Sequence, residues 1–66
     1  MFIDFVTQKG KRYALRAEQI RALESDPEGT RVWASVAGVP VVFLATRPYE
    51  EVYAELKDRI AEEMGA

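Results

Sequence analysis

The stretch Arg31-Val32-Trp33-Ala34-Ser35-Val36-Ala37-Gly38-Val39-Pro40-Val41-Val42-Phe43-Leu44-Ala45 decides the fold. Over residues 31–36 side chains of opposite character alternate, the period-two signature of a strand. Ala37-Gly38-Val39-Pro40 is turn chemistry, and residues 41–45 are rich in β-branched and aromatic side chains, so the stretch reads as a hairpin. Successive side chains of a strand point to opposite faces, which lets the hairpin be sorted by parity. Val32, Ala34 and Val36 share a face with Val41, Phe43 and Ala45; Arg31, Trp33 and Ser35 share the other with Val42 and Leu44. A symmetric turn over 37–40 sets Trp33 near Leu44 across the hairpin.

Upstream, Asp26-Pro27-Glu28-Gly29 is the strongest turn signal in the chain. Pro27 presets φ at the first central position, and Gly29 stands where φ must be free. Before it, residues 17–24 are good helix formers and admit two readings. One is a helical turn at 17–19 followed by a strand over 20–25, which we adopt; the other is a single helix over 17–24. Further upstream, residues 2–7 are β-branched and aromatic, interrupted by Asp4. Gln8-Lys9-Gly10-Lys11 is a tight turn, and residues 12–16 alternate with Tyr13 and Leu15 on one side. The first strand repeats the two-faced pattern, with Ile3 and Phe5 on one side and Phe2 and Val6 on the other.

Downstream, Thr46 ends the sheet and is the expected helix cap, its hydroxyl accepting from a first-turn amide. Pro48 within the first turn costs no hydrogen bond, and Glu50 and Glu51 suit the positive helix start. Tyr49, Val52, Tyr53, Leu56, Ile60 and Met64 fall at helical spacing as one apolar stripe, with Glu55 and Arg59 paired on the wet side. Gly65 is the C-cap, so the helix spans about 47–64. The expectation is α+β: one domain of four to five antiparallel strands in meander order (about 2–7, 12–16, 20–25, 30–36 and 41–45), with the C-terminal amphipathic helix packed on one face.

A sheet in water normally shows one polar face, yet both faces here are apolar and a single helix covers only one. Either the sheet curls so that both sets enter one core, or Trp33, Val42 and Leu44, with Phe2, form an exposed patch for assembly. Aromatic anchors of this kind are what protein interfaces favour, and the second reading makes the protein a homo-oligomer or the companion of a larger protein. Size points the same way. A 66-residue chain buries only about 60% of its unfolded surface, and such scaffolds usually add disulfides, a metal or a partner. With no Cys and no His, disulfide and zinc are closed, and no acidic run has the spacing of a Ca²⁺ loop.

The same absences bear on chemistry. Without His or Cys there is no Ser-His or Cys-His nucleophile and no ordinary neutral-pH base. The carboxylate pairs Glu50–Glu51 and Glu62–Glu63 read as solvated helix face, and Gly10, Gly29 and Gly38 are isolated turn glycines rather than a phosphate cradle. The reading is non-enzymatic, with no catalytic, cofactor-binding or metal-ligating residue assigned. The longest apolar run, 39–45, is far short of a membrane span, Asp4 interrupts any leader-like start, and absence of Cys fits the cytoplasm.

Net charge is −2, unevenly spread. Lys9, Lys11, Arg12, Arg16 and Arg21 make the first third basic; Glu50, Glu51, Glu55, Asp58, Glu62 and Glu63 make the last third acidic. The two ends either face each other within the fold or steer a second copy. Lys9, Lys11, Arg12 and Arg16, with Tyr13 interleaved, are also the one nucleic-acid hint, since Arg12 and Arg16 share a strand face that can track a phosphate backbone. A charged outer strand kept soluble explains them without a ligand and is the preferred reading.

The order of these elements resembles the small bacterial flagellar proteins of the FlbD/SwrD type: strand, Gly turn, strand ending in Leu, a short Pro/Asp-containing turn, Ile-x-x-Ile-Glu, a Pro-Asp-Thr-like turn, a hairpin with Asn-Gly and a Glu-Glu-Val helix. The matching residues are Gly10, Leu15, Ile20, Leu23, Glu24, Pro27, Thr30, Val32, Gly38, Val42 and Glu50-Glu51-Val52, and the resemblance covers residues 2–60. Arg16-Ala17-Glu18 stands where the family has Asn-Pro-Asp, Ala37-Gly38 where it has Asn-Gly, and Trp33 and Arg47-Pro48-Tyr49 are also departures. The resemblance implies a non-enzymatic role in flagellar motor output or gene control. The leading expectation is therefore a protein-binding or oligomerising module of a bacterial cytoplasm. The alternative is a small nucleic-acid-binding regulator, phage or bacterial, using the strip at 9–16.

Overall fold

The computed structural model describes residues 2–65. Strands β1 (Phe2–Val6) and β2 (Arg12–Arg16) lead through a 3-10 turn (Ala17–Gln19) to β3 (Ile20–Asp26), β4 (Gly29–Val36) and β5 (Val39–Ala45), and helix α1 (Tyr49–Gly65) closes the chain. The strands form two antiparallel sheets, β1–β2 and β3–β4–β5, so the class is the α+β one expected. The adopted reading of 17–25 is the one found: Arg16 N–H donates to Gln19 Oε1 at 2.8 Å, holding the 3-10 turn, and the backbone is extended again at Ile20.

The sheets meet at one corner. Thr7 bridges Ala45, and Thr46 N–H donates to Val6 O at 2.9 Å. Their inner faces enter a single core of Ile3, Phe5 and Leu15 from the first sheet, Val32, Ala34, Phe43 and Ala45 from the second, Ala17 from the turn and Val52 from the helix. Phe43 is its centre: Phe5 meets it edge-on at 5.4 Å and Tyr13 stacks on it at 4.1 Å.

The corner is tight because Gly29 lacks a side chain. Its φ is 148°, and a Cβ there would overlap the carbonyl oxygen of Ala45. The next residue, Thr30, is the one buried polar side chain among the described residues, and its hydroxyl donates to Arg47 O at 2.8 Å. Arg47 in turn donates to Asp4 O at 3.2 Å and Glu51 Oε1 at 3.1 Å, and pairs with Glu55. Burial works to lower the Arg47 pKa, but hydrogen bonds and charge from Glu55 and Glu51 outweigh it, so the guanidinium lies above its usual value and stays charged.

Several expectations are corrected. The β4–β5 turn is only Ala37-Gly38, with φ of 51° and 80°, because two successive positive φ values close a two-residue hairpin that matches strand twist. Val36 then pairs with Val39, and Trp33 lies opposite Val42, with Leu44 opposite Arg31. Pro40 enters the strand opposite Ser35, as the edge position of β5 allows. Thr46 is not the helix cap: its backbone is taken up by the sheet corner, and α1 opens at Tyr49 with Val52 N–H donating to Pro48 O at 3.1 Å. The Glu55–Arg59 pair exists at 3.6 Å, but both side chains are largely covered rather than on the wet side.

Only part of the helix stripe is buried. Val52 is enclosed and Tyr49 and Leu56 are half-buried, while Tyr53, Ile60 and Met64 are 50%, 42% and 82% exposed. A helix of this length runs about 25 Å, and it meets β3, β4 and the 3-10 turn, leaving its later turns beyond the core.

Gly29→Ala is expected to cost about 3 kcal/mol in chemical denaturation, since strain and overlap act together. Gly38→Ala, where nothing lies within 4 Å of the added carbon, should cost about 1 kcal/mol. Equal costs would show that the 29–45 contact does not constrain the fold. Thr30→Val keeps the shape, strands Arg47 O, and should lose about 1–2 kcal/mol.

Candidate protein-docking faces

The outer face of the larger sheet follows from its register. Ala22, Trp33 and Val42 lie in one cross-strand row, and Glu24, Arg31 and Leu44 in the next. Trp33 and Leu44 are half-buried and Val42 is 51% exposed. The charged border is already satisfied, Arg31 reaching Glu24 at 3.6 Å and Asp26 at 3.5 Å. What remains at the centre is apolar and uncharged. Beside it Leu44 forms a shallow cleft of about 330 Å³ with Thr7, Gln8, Lys9 and Lys11 from the β1–β2 turn.

Phe2 does not join this patch. It is exposed on the outer face of β1–β2, opposite Arg16, and Thr7, where the sheets join, is five residues away along the strand, about 16 Å. Val6 is likewise outward, opposite Arg12. The basic strip therefore exists as a ribbon face: Lys9 and Lys11 in the turn, Arg12 and Arg16 on β2, with Phe2 and Val6 between them. Arg16 pairs with Glu18 at 3.5 Å. Tyr13 points the other way, into the core against Phe43, with Lys11 Nζ 5.3 Å from its ring centre; it is no platform for a base.

The charge asymmetry along the chain stays open in the fold. The described ion pairs of the helix acids run to Arg47 and Arg59, and those of Arg31 and Arg16 to their neighbours. None of these joins the β1–β2 strip to α1.

A second apolar region escaped the sequence reading. Ile20, Arg21, Ala22 and Leu23 of β3 and Tyr49, Tyr53 and Leu56 of α1 line a cleft of about 200 Å³. A neighbouring cleft of about 180 Å³ continues it along the helix past Lys57 to Ile60. The available signal was the stripe itself: six apolar residues over 49–64 exceed what so small a sheet can cover.

Among the described residues no helix is long and apolar enough to cross a membrane. Comparison with protein-family models, with curated proteins and with solved structures finds no match for the chain.

Because Trp33 lies on the outer face, Trp33→Ala should cost no more than about 1.5 kcal/mol in urea denaturation, whereas Phe43→Ala at the core centre should cost about 4 kcal/mol. A larger loss at Trp33 than at Phe43 would mean that the indole serves the fold rather than a partner.

Proposed function

We infer that this chain is a non-enzymatic assembly module in which copies meet through the outer face of the β3–β4–β5 sheet, with Trp33 as the anchor. One observation carries the reading: the core and α1 occupy the inner side alone, so the Ala22–Trp33–Val42 row and Leu44 keep an apolar surface in water. Interfaces draw their affinity from aromatic anchors seated in an uncharged centre with polar groups at the rim. Arg31, Glu24 and Asp26 supply that rim. A small chain without disulfides also gains stability by mass action when copies associate.

The residue pattern shared with FlbD/SwrD-type proteins supports a flagellar setting in a bacterial cytoplasm, where such a module would act by docking rather than by catalysis. Nucleic-acid binding through Lys9, Lys11, Arg12 and Arg16 draws less support, since the ring interleaved in that strip is stacked inside the core.

Sedimentation equilibrium tests the reading. The wild-type mass should exceed the 7.5 kDa of one chain, Val42→Glu should lower it, and dilution should red-shift Trp33 emission as the indole meets water. A single-chain mass up to high micromolar concentration would falsify it.

A further inference from the structure

Strand β3 has β4 on one side and, among the described residues, no strand on the other. A row of its backbone amides and carbonyls is therefore open to pairing, the feature by which sheet edges recruit another chain. The register shift between Ile20 and Ala22 confines a regular new ladder to residues 22–26. Directly beside this edge run the clefts against α1, floored by Leu23, Tyr49, Tyr53, Leu56 and Ile60. Two unpartnered surfaces, an open strand edge and an uncovered helix stripe, thus adjoin along one seam.

We propose that a second copy of this chain docks at that seam, β3 pairing antiparallel with its counterpart while the two α1 helices lie side by side through Tyr53 and Ile60. Symmetry supplies the first argument. Antiparallel pairing of identical edges requires a two-fold axis normal to the sheet, and such an axis keeps the inner side of one copy on the inner side of the other. Both helices then stand on the same side of a continuous six-stranded sheet, so one operation covers both open surfaces.

Charge supplies the second. Arg21 stands at the start of β3, and Glu24 and Asp26 at its end. Antiparallel pairing over 22–26 sets Asp26 of each copy beside the Arg21 end of the other, with Glu24 at the axis, whereas a parallel arrangement would set Arg21 against Arg21 and Asp26 against Asp26. Among the described residues Arg21 enters none of the ion pairs found, so it is available for this role. Area supplies the third. Five paired residues with the exposed flank of α1 cover on the order of 600 Å² per copy, the lower end for a specific interface.

The seam shares Ala22, Glu24 and Asp26 of β3 with the border of the outer face but not its Trp33–Val42 centre, and the inference does not rest on that face. The normal two-fold leaves both Trp33 faces on the same side of the doubled sheet, so together the two contacts would build a tetramer with three perpendicular two-fold axes.

The test removes the outer-face contact first. Val42→Glu protein, its fold checked by circular dichroism, should sediment at twice the 7.5 kDa chain mass; Trp33→Ala serves as the background if Val42→Glu does not fold. Adding Arg21→Glu, or separately Ile60→Glu at an exposed helix position, should return the mass to a single chain, and Arg21→Glu with Asp26→Arg should restore the pair. A single-chain mass in the starting background overturns the proposal and leaves the seam to an extended segment of another protein. So does a paired mass unmoved by Arg21→Glu and Ile60→Glu, and loss without recovery in the swapped pair overturns the antiparallel arrangement. If only the Val42→Glu effect is missing, it is the outer-face reading that fails, since the seam variants act independently.

Discussion

Gly29 and Ala45 touch backbone to backbone, and the architecture follows from what that contact permits. With no Cβ at 29, the start of β4 lies against the Ala45 carbonyl. Ala45 is also the residue that bridges Thr7, and the next amide donates to Val6, so the same few atoms join the second sheet to the first. Thr30 then reaches Arg47 O, and Arg47 reaches back to Asp4 and forward to Glu51 and Glu55. Four chain segments are thereby held at one corner through a buried hydroxyl and a guanidinium fork. A fork with five donors suits this role, where an ammonium would satisfy fewer partners at once.

Fixing that corner fixes the direction in which each sheet curves. Ile3, Phe5 and Leu15 are brought against Val32, Ala34 and Phe43, and Tyr13 completes a three-ring cluster on Phe43. The core is consequently filled from the inner faces of both sheets, with Val52 the helix residue fully inside. The helix acts as a lid on one end of this core rather than as a layer across it.

The uncovered surfaces are a consequence of the same economy. A chain this short has too little backbone to wrap both sides of its sheets, and its apolar content exceeds what its interior holds. The excess appears in two coherent places, the row through Trp33 on the outer face and the seam between β3 and α1, instead of being scattered singly over the surface. Contiguous apolar area is what association uses, whereas scattered apolar side chains carry no such meaning.

Much of this was legible in local chemistry. The strand order, the 3-10 turn at Ala17–Gln19, the turns at Gly10 and Pro27–Gly29 and the helix from its stripe all rest on period, φ preference and propensity, which act between near neighbours. The hairpin register was not, because a four-residue and a two-residue turn at 37–40 differ only in whether Ala37 accepts a positive φ, and tertiary pairing decides that. Nor was the helix start, since Thr46 looks like a cap until its amide is claimed by Val6 across the sheet corner. The two-sided apolar pattern of Trp33, Val42 and Leu44 belonged to the sequence alone; that Phe2 stands apart from them, that Tyr13 turns inward, and that β3 is left as a free edge beside Tyr53 were decided by how the two sheets meet. Parity along a strand is a local property, but which faces and edges remain in water depends on contacts between residues far apart in the chain.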